Sequence, residues 1–148
     1  ILRVKVIQSK KGIHDMTTQD FIKEAQGYLT LMDDAKFNIC DAIADRAAWA
    51  QNVRTAQENY DSIEAAHVFD LMTSDSFVAT GKNAEQRSAA KDAEISKFRL
   101  TSHEWKVLQG AKAKHADAQS VFEQNEKRFA AIKIQAELSA AILKAMVG

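Results

Sequence analysis

The clearest candidate for chemistry in this 148-residue sequence is a glycine followed by a lysine, Gly81 and Lys82, in the segment FVATGKNAEQRSAAK. Such a pair ends the loop G-x-x-x-x-G-K-[ST], in which backbone N–H groups cradle phosphate and the hydroxyl binds magnesium. Here Ser76 replaces the first glycine, Asn83 replaces the hydroxyl residue, and the flanking patterns are helical. The sequence therefore predicts no nucleotide hydrolysis. Asn83 is expected to cap a helix, whose first N–H groups either only start that helix or also contact a phosphate.

The remaining reactive side chains form no catalytic or metal-binding pattern. The four histidines lack partners at metal-ligand spacing, and His103-Glu104 lacks the second histidine of H-E-x-x-H. The single cysteine, Cys40, cannot form an intrachain disulfide, and we expect it to pack beside Ile39 rather than act as a nucleophile. We therefore expect no enzymatic activity, no metal, no cofactor and no small-molecule substrate.

A group of cations near the middle of the chain has the composition of a nucleic-acid surface. Sequence-independent binding of a single strand requires cations that follow the phosphates and aromatic rings on which bases stack. The predicted nucleic-acid-binding residues are Lys82, Arg87, Lys91, Lys97, Arg99, Trp105, Lys106, Lys112 and Lys114. A structural alternative stays open, since any solvated helix carries lysines and Trp105 also suits a helix core.

The charges are unevenly distributed although the net charge is zero. Residues 1–14 carry four positive charges and no negative ones, and residues 15–81 carry four positive and twelve negative. Residues 82–114 carry eight positive and four negative, and residues 115–148 carry four of each. This pattern predicts either complementary helices or subunits, or a basic surface for an anionic polymer.

The composition predicts that the basic and aromatic residues named above lie on helices. There are 25 alanines and no proline, a combination that favours closely packed helices. We expect one all-helical domain over residues 16–148, with acidic helices at about 18–72, a loop at 73–82, a short helix at about 84–98 and a long helix at about 102–146. Gly27 is a candidate break in the first segment. Residues 1–15 alternate apolar and basic side chains, which predicts either a short β-strand or a basic arm.

The last helix carries the strongest pattern. Apolar or small residues recur every seven positions from Leu108 to Leu143, with a second set three residues after each. Six consecutive heptads predict a coiled coil or a long bundle, and roughly 40 residues would span about 60 Å, so we expect an elongated hairpin and an oligomer. The partner of this face is the long helix from Leu29, the same helix of another subunit, or both. The predicted oligomer interface comprises Leu108, His115, Phe122, Asn125, Phe129, Ile132 and Leu143.

The order of these parts resembles that of small helical proteins from phage and prophage recombination modules. The segment G-K-N-x-E-x-R, Gly81 to Arg87, and the tail RFAAIKIQAEL carry the resemblance. From Leu29 onward the layout is similar to the UvsY-type recombination mediators. That resemblance implies a non-enzymatic protein that assembles into rings and helps to load a RecA-like recombinase on single-stranded DNA. It also implies that the basic residues of positions 82–114 contact the DNA backbone.

Two functions follow as expectations. The first is a phage-type recombination accessory that binds single-stranded DNA as a homo-oligomer and works with a recombinase. The second is a structural or adaptor coiled-coil protein that does not bind nucleic acid. The sequence contains no apolar run long enough to span a membrane and no pattern typical of a signal peptide. We therefore expect a cytoplasmic protein without membrane contact, located in the bacterial host cell if it is phage-derived.

Overall fold

The computed structural model describes residues 16–74 and 83–148, and within these ranges it confirms the all-α class. Three helices account for nearly all of the described residues, in the order α1 (Thr18–Thr73), α2 (Ala84–Thr101) and α3 (His103–Val147). The described ranges contain no strand. The predicted N-terminal strand or arm and most of the predicted loop, including Gly81 and Lys82, lie outside the described residues.

Helix α1 begins where the capping side chain predicts. The backbone N–H of Asp20 donates to Thr17 Oγ1 at 3.2 Å, and the Asp20 carboxylate accepts from the Thr17 N–H at 2.9 Å. This reciprocal pair satisfies two groups that would otherwise lack partners at the helix start. The helix continues without interruption through Gly27, so the suggested break there is absent. A single glycine costs a helix only about 1 kcal/mol, which flanking turns easily outweigh.

Helices α2 and α3 are separated by a single residue, Ser102. The start of α2 follows the prediction, because the Asn83 side chain accepts from the Gln86 N–H at 2.8 Å. Its end lies at Thr101, about three residues beyond the predicted end. The cap of α3 is consequently Ser102, whose Oγ accepts from the Trp105 N–H at 3.2 Å, and the predicted cap Thr101 is still helical. The Ser102 side chain is buried, which places this connection in the protein interior.

The chain divides into two compact units that each contain part of α1 and part of α3. Unit 1 comprises the described residues 16–46 and 117–148, and unit 2 comprises the described residues 47–74 and 83–116. Unit 2 packs around Ala56, Tyr60, Leu108 and Ala111. In it, Tyr60 contacts Trp105 while Ala56, earlier in α1, belongs with Ala111, later in α3, so the two helix segments run antiparallel.

Unit 1 has a thinner interior made largely of small residues. Its buried side chains are Phe21, Tyr28, Ala35, Ala42, Ala118, Ile132 and Ser139. Six inward positions of α1, beginning in unit 1 and continuing into unit 2, are spaced by seven residues: Phe21, Tyr28, Ala35, Ala42, Trp49 and Ala56. Two isoleucines that helical spacing suggested for the inward face, Ile43 and Ile63, are 44% and 37% exposed. Ile43 follows the inward position Ala42, whereas Ile63 is the next position of the seven-residue repeat after Ala56, so the repeat is no longer buried there.

The heptad positions of α3 form its inward face. All of them from Leu108 to Leu143 are buried or half-buried, and Leu108 and Ile132 have no exposed surface. Met146, three residues after Leu143, is 45% exposed, so the buried face ends at Leu143. The sequence pattern therefore identifies which side of α3 turns toward the interior of each unit.

Candidate functional surfaces

The predicted nucleic-acid-binding residues that the structure describes all lie in unit 2. Arg87 and Lys91 lie in the first half of α2, and Lys97 and Arg99 lie near its end. Trp105, Lys106, Lys112 and Lys114 lie on the first three turns of α3. Lys82 is outside the described residues. The structure brings Arg99 and Trp105 together and leaves the others apart.

Arg99 is exposed and contacts three groups of unit 2. Its Nε donates to the Tyr60 hydroxyl at 3.2 Å and lies 3.7 Å from Glu64 Oε2, a separation that makes an ion pair but is too long for a hydrogen bond. Its guanidinium carbon lies 4.9 Å from the centre of the Trp105 ring. Arg99 therefore covers the end of the core while its side chain remains 45% exposed.

Trp105 is part of an aromatic cluster rather than an open stacking platform. The Trp105 ring centre lies 4.9 Å from the Tyr60 ring centre. On the α2 side, the Phe98 ring centre lies 6.3 Å from that of Tyr60. His67 stacks on Phe98 at 4.4 Å. Such offset and tilted pairs contribute packing energy beyond the area they bury. The cluster therefore attaches α2 to α1 and α3 within unit 2.

Both tyrosines of the protein have raised pKa values. Burial is the main cause at Tyr60, where Glu64 raises the pKa further and Arg99 lowers it. Burial is also the main cause at Tyr28, whose hydroxyl lies 3.4 Å from Glu24 Oε1, and the Glu24 charge adds to the shift. In both cases the folded protein favours the protonated phenol.

These shifts predict that stability falls at alkaline pH. The folded state holds the phenolic protons more tightly than the unfolded chain, so the stabilisation is complete below pH about 10 and is lost as the pH rises through the raised folded values. We expect the urea midpoint to fall as the pH rises above about 10. Phenolate absorbance should titrate at higher pH in the folded protein than in urea. Identical titration curves in the two states would contradict the prediction, and Tyr60→Phe should leave only the Tyr28 transition.

The lysines of α3 do not form a common face. Successive helix residues are rotated by about 100°, so Lys112 and Lys114 flank the inward face on opposite sides and Lys106 points away from it. On α2, Lys97 Nζ lies 3.2 Å from Glu94 Oε1 and forms an ion pair with it. The described residues of unit 2 hold eight Lys or Arg and eight Asp or Glu, for a net charge of zero. The excess of positive charge in positions 82–114 is therefore balanced by the acidic residues of α1 in the same unit.

An open groove of about 510 Å³ runs along α1 and α3 in unit 2. Its lining combines an indole, small residues and amides: Trp49, Asn52, Thr55, Ala56, Asn59, Val107, Gly110, Ala111 and Lys114. A Cβ built on Gly110 would meet nothing within 4 Å, so this residue leaves the groove wide. Aromatic and small apolar side chains with amides at the edge are typical of surfaces that receive another helix.

A smaller groove of about 370 Å³ lies in unit 1 and is acidic. It is lined by Asn38, Asp41, Ala42, Asp45, Val121 and Asn125. Nearby, the Arg46 guanidinium covers the Phe122 ring at 4.0 Å, and Arg46 Nη1 donates to Gln119 Oε1 at 3.2 Å. These contacts join α1 to α3 in unit 1 and partly cover the ring of the half-buried Phe122.

The seven residues of the predicted oligomer interface all lie on the inward face of α3. Leu108 and Ile132 are completely covered by their own chain, and the other five are half-buried. Contact with a second subunit through Leu108 or Ile132 would require α3 to leave its unit. None of the large apolar side chains that are exposed in the described ranges belongs to this predicted interface.

Cys40 is exposed, so the expectation that it packs against its neighbours is wrong. It points to solvent because Ala35 and Ala42 occupy the inward positions of this part of α1. Within residues 16–74 and 83–148, no group of three or more His, Cys, Asp or Glu side chains is placed to hold a metal ion. None of the helices in these ranges is both long enough and apolar enough to cross a membrane.

Comparisons of the chain with protein families, with curated proteins and with solved structures find no match. The similarity to UvsY-type mediators stays a prediction from the sequence. The function of this protein is therefore inferred from its own surfaces.

Proposed function

We propose that this protein is a non-enzymatic helical adaptor or assembly protein that acts through contacts with other proteins. The observation that carries the proposal is the balanced charge of unit 2, in which cations and carboxylates are equal in number. Arg99 also contacts Tyr60 and Glu64, and the half-buried Trp105 packs against the core. A surface of this kind lacks the continuous positive potential that a nucleic-acid strand requires.

The groove of unit 2 is the docking surface in this proposal. Its occupant is an amphipathic helix of a partner protein, which inserts apolar side chains beside Trp49 and the small residues around Gly110. Lys114 is the charged residue in the lining, so the helix is expected to carry an acidic side chain at that point. The amides of Asn52 and Asn59 would bind polar groups at the edge.

A recombination accessory that binds single-stranded DNA is the second candidate function. The observation that favours it is the presence of exposed cations without ion pairs to described residues, among them Arg87, Lys106 and Lys112. Binding in this case would need several copies, because weak sites joined in one assembly bind more tightly than one site. The working partner would be a RecA-like recombinase.

Fluorescence anisotropy of a labelled single-stranded oligonucleotide at two salt concentrations separates the two functions. If the protein is an adaptor, the oligonucleotide should not bind. Alternatively it should bind weakly and lose the same affinity whichever surface charges are reversed. The test variant is Lys106→Glu with Lys112→Glu. The matched control, Lys36→Glu with Lys127→Glu, reverses two exposed charges in unit 1. Micromolar binding that falls steeply with salt and is lost in the test variant alone would establish the second function instead.

Gly110 provides the complementary test of the groove. Gly110→Leu should fill the groove, since a Cβ at this position would meet nothing within 4 Å, and Gly110→Ala leaves it open while giving a similar gain in helix propensity of about 0.5–1 kcal/mol. Proteins retained from an extract of the producing cells by the wild type and by Gly110→Ala should be lost with Gly110→Leu. The retained protein would then be purified and titrated against all three forms. Equal affinity for the three forms would show that the groove is not the docking surface.

A further inference from the structure

The last third of α3 is apolar on two faces. Its inward face carries Phe129, Ile132 and Leu143, as described above. A second apolar stripe lies on the opposite side, at spacings of three and four residues: Ala131, Ile134, Leu138, Ala141 and Ala145. We name this stripe the outer face. It repeats at seven residues in the same way as the inward face, but about half a turn around the helix from it.

The outer face is uncovered in the structure. Ile134 is 66% exposed and Leu138 is 61% exposed, and Ala141 and Ala145 are exposed as well. A helix that packs on one side only normally carries polar residues on the other. Upstream, the equivalent positions Gln124 and Lys127 are polar, so the apolar stripe is confined to the last turns. An apolar heptad stripe of this kind is typical of a helix that pairs with another helix.

We propose that the outer face pairs with the outer face of a second copy of this chain in antiparallel orientation. With the two-fold axis between positions 139 and 140, Leu138 faces Ala141 of the second copy and Ile134 faces Ala145 of the second copy. Each large side chain then lies opposite a small one, which fills every layer of the contact evenly. An antiparallel pair of identical helices is closed, so the assembly is a dimer and does not extend into a filament.

The charges beside the outer face supply an independent argument for this orientation. Glu137 and Lys144 lie on the same edge of the stripe, one heptad apart. Antiparallel pairing places each Glu137 beside Lys144 of the second copy, twice in the dimer. A parallel pair would instead place Glu137 beside the apolar Ile142, so Glu137 and Lys144 would not contact each other across the dimer. Within one copy Glu137 also lies 4.0 Å from Lys133, but that pair is exposed and therefore weak.

This inference concerns unit 1 alone and does not depend on the function proposed for the groove of unit 2. A dimer of this kind would present two grooves per particle and would increase the affinity for a partner that contacts both.

Sedimentation equilibrium of the full chain and of charge variants tests the proposal. The wild type should dimerise reversibly. Glu137→Lys and Lys144→Glu should each weaken dimerisation by roughly tenfold, because two attractive contacts become repulsive. The double variant should regain wild-type dimerisation, since the reversed charges are again complementary in the antiparallel arrangement. A wild type that stays monomeric throughout, or a double variant that is not restored, would overturn the proposal.

Ile134→Lys checks the apolar contact. It should abolish dimerisation while leaving the helix content unchanged by circular dichroism, because Ile134 does not contribute to the interior of unit 1. Dimerisation that survives Ile134→Lys would show that another surface is used, and would also overturn the proposal.

Disulfide cross-linking determines the orientation directly. In a Cys40→Ser background, which removes the exposed native thiol, Leu138→Cys and Ala141→Cys proteins are prepared separately and then mixed under oxidising conditions. The antiparallel dimer predicts disulfides mainly between the two different variants. Disulfides mainly within each variant would indicate a parallel pair and would contradict the assigned orientation.

Discussion

Replacing Ile132 with alanine is expected to lower the free energy of unfolding by about 2–5 kcal/mol. Ile132 has no exposed surface and is among the largest fully buried side chains of the described protein. Its removal takes apolar surface out of the interior of unit 1 and leaves a cavity. A cavity adds to the cost because the surrounding structure relaxes only partially around it.

Ile134→Ala is the matched control, because it makes the same change two residues away on the opposite face of α3. Ile134 is 66% exposed, so its loss should change the free energy of unfolding by no more than about 0.5 kcal/mol. Both variants should be unfolded with urea at low protein concentration, where the proposed dimer does not contribute. Equal effects of the two substitutions would contradict the assignment of the inward face of α3.

Replacing Tyr60 with alanine is expected to have an effect of similar or larger size, about 3–5 kcal/mol. Tyr60 is 2% exposed and contacts residues of α2 and α3 in unit 2. Its ring packs against Phe98 and Trp105, and its hydroxyl accepts the hydrogen bond from Arg99. The substitution therefore removes both the centre of the aromatic cluster and the acceptor that holds Arg99.

Tyr60→Phe separates these two contributions. It keeps the ring and removes the hydroxyl, so we expect a loss of about 0.5–1.5 kcal/mol, since Arg99 can still reach Glu64 and water. Unfolding would be followed by tryptophan fluorescence, because both tryptophans of the protein, Trp49 and Trp105, lie in unit 2. A Tyr60→Phe variant as unstable as Tyr60→Ala would mean that the hydrogen bond, and not the packing, dominates at this position.

Some features of the site were predictable from particular residues, and others were not. The cap at Asn83 followed from a local hydrogen bond, and the inward face of α3 followed from its heptads. The seven-residue repeat of α1, from Phe21 to Ala56, was also present in the sequence. Three of its six members are alanines, so the larger Ile43 beside it is the more conspicuous apolar residue although it is exposed. The same repeat continues to Ile63, which is 37% exposed, so spacing alone did not show where the buried face ends.

The role of the basic residues depended on contacts between distant parts of the chain. Arg99 and Tyr60 are 39 residues apart, and Arg46 and Gln119 are 73 residues apart. Nothing in the local pattern around Arg99 distinguishes it from Lys97, and both residues are exposed. The helix fold places Arg99 beside Tyr60, Glu64 and Trp105, and these contacts with distant residues set it apart from Lys97.

By itself, the sequence determined the helical class, the cap of α2 and the inward face of α3, because these depend on residues within one or two turns of each other. The tertiary structure decided which groups contact Arg99 and Trp105 in unit 2, which side of α1 is buried and which apolar face of α3 is left uncovered. Those outcomes depend on the pairing of helix segments that are far apart along the chain. Periodicity shows that a helix has an apolar face, but only packing shows whether that face already has a partner.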